Sequence, residues 1–274
     1  NEAATFTIGQ KALTVTAEDK TVTYGDSAHY TATYKGLLDC DKGKLGTPNF
    51  TCNYNKVGTY SITVDGLENS NYAITYVNGT LTVNARTVTL DWGTANSFIY
   101  DGKARTLNPT AKNVVNNDNL GLAITITGEN ISGSSAINVG TYTATASITN
   151  KNYVLAESSK TATFTITQRT VTLDWGANSF AYDGNAHTLT PTAQNVVNND
   201  NLGLTVTVTG EKITGSSAIN AGTYTATAQI ANENYVLAEG SKTATFTITT
   251  RTLTVKAKDN SITYGDKPSA KGYE

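Results

Sequence analysis

Residues 100–167 of the 274-residue chain align without gaps to residues 182–249; 14 of those 68 positions differ, leaving 54 identical. Upstream, "RTVTLDWG" at 86–93 recurs at 169–176, with one residue dropped before "NSF". A tandem repeat of 82–83 residues follows, and self-similarity at a fixed period decides architecture before any local feature does. A third, diverged copy precedes these two. It reads "KALTVTAEDKTVTYGD", then "KVGTYSITV", then "ENSNYAITYVNGTLTV". In each copy a basic residue (Lys11, Arg86, Arg169) leads the first strand, and a tyrosine–glycine turn follows at Tyr24, Tyr100 and Tyr182. A "GTY" phrase and an N-x-N-Y turn come next, in the same order.

The local pattern within a copy is that of strands. Leu13, Val15 and Ala17 alternate with threonines, as do Tyr60, Ile62 and Val64, and Phe164 with Ile166. Period-two alternation with threonine on the other face suits a half-buried strand. Turn signals punctuate the chain every ten or so residues. The expected fold is all-β, a tandem array of small immunoglobulin-like β-sandwich domains. A β-grasp-like unit is the alternative, and it requires a helix laid across a sheet. The segments 110–118 and 192–200 are where one short helical turn could form.

The phrase "ATFTI…RTVTL" marks the junction between copies and sets the boundaries. Residues 1–9 read as the last strand of a preceding repeat. Residues 10–84, 85–168 and 169–250 read as three domains, and 251–274 as the beginning of a further one. Orphan strands fray unless something pairs with them. The backbones of Thr5, Thr7, Thr252 and Thr254 are therefore expected to find partners outside their own unit, strand pairing between chains at the termini included.

Composition narrows the function. The net charge is −2, which gives no electrostatic reason to expect nucleic acid. No apolar run approaches the roughly 20 residues that span a bilayer, so no membrane insertion is expected in this segment. With two histidines, His29 and His187, the inventory is poor for acid–base catalysis or a metal site. No enzymatic activity, catalytic residue, metal or cofactor is expected. Cys40 and Cys52 lack the further ligands that a zinc site needs. They are expected to form a disulfide, closing a loop of about 13 residues and contributing ~3 kcal/mol. That bond implies an oxidising, extracellular setting.

Trp92 and Trp175, in the repeated phrase "LDWG", could stack on a sugar ring. Val88, Leu90 and Trp92 also share one strand face, the pattern of core packing or of a contact between neighbouring domains. The "NNDN" stretches at 116–119 and 198–201 offer one aspartate each. That is few for calcium and suits a turn held by side-chain-to-backbone bonds. In "YGD" and "YDG", glycine supplies a positive φ, and the tyrosine is expected to pack inward with its hydroxyl bonded at the edge.

With "YGD" at 24–26 and "YDG" at 100–102 and 182–184, the chain resembles the MBG-type repeat domains of bacterial surface proteins. The first copy is similar to the YGX type, the second and third to the YDG type. The resemblance implies an extracellular location at the bacterial cell surface, or secretion, and a role as structural stalk or spacer repeats of an adhesin-like protein. The alternative is a direct binding module for mucin, host glycan or host protein.

Overall fold

The structure is a computed structural model that describes residues 4–129, 131–132, 135–211, 213–214, 217–259 and 261–267. By internal contacts the chain divides into two compact units. The first comprises Asn1–Ser97, Ala104–Ala136 and Gly140–Thr165, and the second Phe98–Lys103, Ile137–Val139 and Ile166–Glu274.

In the first unit, the first repeat is a two-sheet sandwich. One sheet has the order Ala32–Lys35, Lys11–Ala17, Tyr72–Val77; the other has the order Lys20–Thr23, Gly79–Asn84, Gly58–Asp65, Asn49–Thr51. Alternation does what the sequence asks of it. Leu13, Val15 and Ala17 from one sheet meet Ile62, Val64, Leu81 and Val83 from the other in a single core, while the intervening threonines face outward. Sheet pairing is mixed: Lys11–Ala17 runs antiparallel to Ala32–Lys35 but parallel to Tyr72–Val77, with Leu13 opposite Ile74. The same unit holds the matching sheet of the second repeat, Thr110–Lys112, Arg86–Asp91 and Tyr153–Leu155, over a core of Val88, Leu90, Leu120, Ala146, Tyr153 and Leu155.

The second unit repeats the plan. Thr192–Gln194, Arg169–Asp174 and Tyr235–Leu237 form one sheet. Ser179–Ala181, Thr243–Thr249, Gly222–Gln229 and Thr205–Thr209 form the other. Tyr224 and Phe246 stack at 5.4 Å inside the core.

The all-β sandwich expectation therefore holds, and no α-helix crosses a sheet among the described residues. The helical content described is three 3₁₀ turns, Asp39–Asp41, Glu157–Ser159 and Glu239–Ser241. Where a helical turn was conceivable, Thr110–Lys112 and Thr192–Gln194 form short strands instead. Each then enters a turn whose asparagines 113, 116 and 117, or 195, 198 and 199, take positive φ. Asparagine tolerates that left-handed backbone better than other residues with a side chain.

Two further expectations fare differently. Cys40 and Cys52 form no disulfide; both are free thiols. The reason is their placement on different sheets. Cys40 is exposed on the 3₁₀ turn that follows Ala32–Lys35, whereas Cys52 ends the strand Asn49–Thr51 of the opposite sheet and packs against the core. At the ends of the chain, residues 4–10 and 251–256 form no strand, and Phe6 and Leu253 are 89% and 84% exposed. Thr5, Thr7, Thr252 and Thr254 do not ladder onto a neighbouring sheet among the described residues.

Candidate functional site: the tyrosine seam between repeats

In the first compact unit, strand Lys20–Thr23 lies parallel to Gly79–Asn84, and the Tyr24 amide extends the pairing by donating to the Asn84 carbonyl at 2.8 Å. Gly25, at φ 86°, then turns the chain sharply, and the Asp26 amide closes the turn onto the Thr23 carbonyl. The effect is to project Tyr24 out of its own repeat and into the next. Its ring meets that of Tyr153 edge-on, with centroids 5.4 Å apart at 78°. Edge-to-face packing of this kind sets the positive ring edge against the negative face.

A single carboxylate receives both rings. The Tyr24 and Tyr153 hydroxyls each donate to Oδ2 of Asp118 at 2.8 Å. Asp118 belongs to the "NNDN" turn, whose backbone is closed by its amide donating to the Val115 carbonyl, while the Val115 amide donates to the Tyr153 hydroxyl. Two more bonds cross the junction. The Val57 amide donates to Oδ1 of Asn152 at 3.0 Å, and Nε of Arg86 donates to the Tyr24 carbonyl at 2.7 Å. The Arg86 guanidinium also pairs with Asp26.

The second unit contains the same device one repeat later. The Tyr100 and Tyr235 hydroxyls each donate to Oδ2 of Asp200 at 2.8 Å, and their rings meet at 5.4 Å and 76°. The Val139 amide donates to Oδ1 of Asn234 at 2.8 Å, and Arg169 reaches the Tyr100 carbonyl at 3.3 Å. The turn itself is built differently. Here the aspartate comes before the glycine, so Asp101 caps the Lys103 amide while Gly102 takes φ 72°. Two turn chemistries deliver one tyrosine to one kind of socket.

Electrostatics follow from this geometry. Burial, and then the hydrogen bond to the Asp200 carboxylate, push the Tyr100 phenol up to about 12. Tyr24 is raised chiefly by its bond to Asp118, and Tyr153 and Tyr235 chiefly by burial. All four are thereby held as neutral donors, the form that the shared carboxylate needs. The chemistry on offer is mutual recognition between repeats.

The other residues singled out in the sequence lie elsewhere. Trp92 and Trp175 pack half-buried against their own repeats' cores, and their indole N–H groups donate to the Ser159 and Ser241 carbonyls at 2.8 and 2.9 Å. His187 stacks on Phe180 and bonds Asp183. Sequence reading missed Asp118, Asp200, Asn152 and Asn234 as a set. The signal was there in part, since both aspartates and both N-x-N-Y turns recur 82 residues apart.

Fold and seam define a class: tandem two-sheet β-domains in which a turn of one repeat is received by the next. Within it, residues 13–82 match the MBG domain (YGX type), so the first repeat is an MBG-type domain. No curated protein was found to match the chain. Among solved structures the chain is similar to Drosophila N-cadherin EC1-4 at 9% identity, with 89% of this chain and 76% of that one covered and a TM-score of 0.27. It is also similar to extracellular domains 3-5 of Drosophila OTK, at 13% identity, 72% coverage of each chain and a TM-score of 0.24. A third is BT4661, a SusE-like surface located polysaccharide binding protein from Bacteroides thetaiotaomicron, at 14% identity, 73% and 41% coverage and a TM-score of 0.21. Scores this low carry no functional argument.

Proposed function

We propose that this is a non-catalytic repeat region of a bacterial surface protein, its second and third repeats being YDG-type units, and that it serves as a stalk holding a binding region away from the cell. The observation that carries the reading is the doubled seam. At two successive junctions the tyrosine, carboxylate, asparagine and arginine are engaged with one another, an arrangement suited to joining domains. The near-identity of the second and third copies supports it further, because a spacer works by length and tolerates duplication. In the full-length parent protein, in-frame deletion of residues 169–250 is expected to leave the affinity of a distal binding domain unchanged. Loss of binding on that deletion alone would sink the stalk reading.

One observation favours direct binding as a second reading. An open, largely apolar groove of about 470 Å³ in the first repeat is lined by Tyr34, Leu37, Lys42 and Leu45. A host glycan or a mucin could meet it there. A glycan array probed with residues 1–274 separates the two, since the stalk reading predicts no hits and the binding reading predicts a signal that Tyr34→Ala removes.

A further inference from the structure

The seam has two halves, and each is displayed once without its counterpart. The socket half consists of a basic residue, a hydrophobic residue, an aspartate, an asparagine and a tyrosine. In the second repeat these are Arg86, Val115, Asp118, Asn152 and Tyr153; in the third they are Arg169, Val197, Asp200, Asn234 and Tyr235.

The first repeat has the same set. Residues 35–41, "KGLLDCD", align without a gap to "KNVVNND" at 112–118, which places Leu38 at Val115 and Asp41 at Asp118. The hydrogen bonds confirm the correspondence. The Tyr72 hydroxyl donates to Oδ2 of Asp41 at 2.7 Å, the Leu38 amide donates to the Tyr72 hydroxyl at 3.2 Å, and the Asp41 amide donates to the Leu38 carbonyl at 3.0 Å. Each bond has its copy around Tyr153 and Asp118. Likewise the Lys11 amide donates to the Asn71 carbonyl, as Arg86 does to Asn152 and Arg169 to Asn234.

What differs is occupancy. Asn152, Asn234, Arg86, Arg169, Val115 and Val197 are all partly covered, while Asn71, Lys11 and Leu38 are exposed, Leu38 by 46%. A cavity of about 250 Å³ lies between these residues, with no second tyrosine against Tyr72 among those described.

The plug half is displayed by the third repeat. Tyr182 donates its amide to the Thr249 carbonyl at 2.9 Å, as Tyr100 does to Thr167, and Gly184 takes φ 80° beside the 72° of Gly102. The turn is therefore formed in advance. Yet Tyr182 is 39% exposed where Tyr100 is 6% exposed. Ala221 stands where Val57 and Val139 supply the crossing amide.

We propose that the surface formed by Lys11, Leu38, Asp41, Asn71 and Tyr72 is an open receptor for a tyrosine–glycine turn, and that the Tyr182–Asp183–Gly184 turn of a second copy of this chain docks there, head to tail. Recognition is by the phenol hydroxyl donating to Asp41, the ring meeting Tyr72 edge-on, and the Ala221 amide donating to Asn71. The contact is heterologous, so it adds chains in series and does not close on a dimer. It rests on seam geometry and not on the stalk reading, which survives its failure.

Linked repeats see each other at effective concentrations on the order of millimolar. The bimolecular contact is accordingly sought at hundreds of micromolar, by sedimentation equilibrium of the 274-residue chain. The weight-average mass should climb above 28.9 kDa with concentration. Tyr182→Ala alone and Asn71→Ala alone should each hold it at the single-chain value. An equimolar mixture of the two variants should recover association, because one keeps the socket and the other the plug. Both substitutions fall on exposed side chains, and circular dichroism verifies that the variants are folded. A single-chain mass for the unaltered protein at every concentration would overturn the proposal, as would self-association indifferent to both substitutions.

Discussion

At the scale of single residues, each seam turns on one carboxylate serving two phenols. A hydrogen bond to a charged group contributes about 1.5–3 kcal/mol, roughly twice a neutral one. Tyr100→Phe keeps the ring and loses the hydroxyl, so it should destabilise the second unit by about 1–2 kcal/mol, read from its denaturant midpoint. Titration gives an independent handle. The Tyr100 pKa is raised from its ordinary value near 10 to about 12, so the folded state prefers the protonated phenol. That stability is fully present below pH 10 and is lost as pH rises through about 12. Ultraviolet titration should therefore show a late-ionising tyrosine, and Asp200→Asn should bring its titration earlier. If Tyr100 ionised with the exposed tyrosines near pH 10, its burial against Asp200 would be refuted. The cysteines test placement in the same way. Alkylation of the intact protein without reductant should add two groups by mass, with Cys40, exposed on its turn, reacting first.

At the scale of elements, strands were legible in the sequence and the seam was legible only in halves. Alternation at Leu13, Val15 and Ala17 fixes which face is buried, and Gly25 and Gly102 take the positive φ that their turns predicted. The tyrosine of "YGD" was expected to bond at an edge, but no local pattern says that the edge belongs to another repeat. Asp118 lies 94 positions from Tyr24, and "NNDN" reads equally well as a self-contained turn. The cysteine pairing went wrong for a related reason. Twelve positions of separation say nothing about which sheet each residue joins, and the correspondence of Cys40 with Asn117 on an outward turn emerges only once the "KGLLDCD" turn is aligned. The glycines offer a controlled comparison. Gly102→Ala and Gly184→Ala both strain a left-handed backbone at a cost of about 1 kcal/mol. Only at 102 would the new Cβ strike Asn198 of the following repeat; at 184 it meets open space. Gly102→Ala should lower the thermal midpoint more than Gly184→Ala, and equal shifts would show that the seam takes no part.

At the scale of the whole chain, the compact units do not follow the sequence period. Residues 98–103 and 137–139, drawn from the second repeat, group with the third, because Tyr100 and Val139 make their principal contacts there. A repeat in this chain is thus completed by the turn it receives, as expected for arrays whose stability is a sum of unit and nearest-neighbour terms. The central claim is that the tyrosine clasp holds successive repeats together. The most direct test is amide hydrogen exchange at Val57, an exposed position whose N–H bonds Oδ1 of Asn152 across the first seam. That amide should be protected in the unaltered chain, and Tyr24→Phe should speed its exchange roughly fivefold, the equivalent of about 1 kcal/mol, while amides of the Lys11–Ala17 strand keep their rates. Exchange at Val57 as fast as in an unstructured peptide, or unchanged by Tyr24→Phe, would contradict the account.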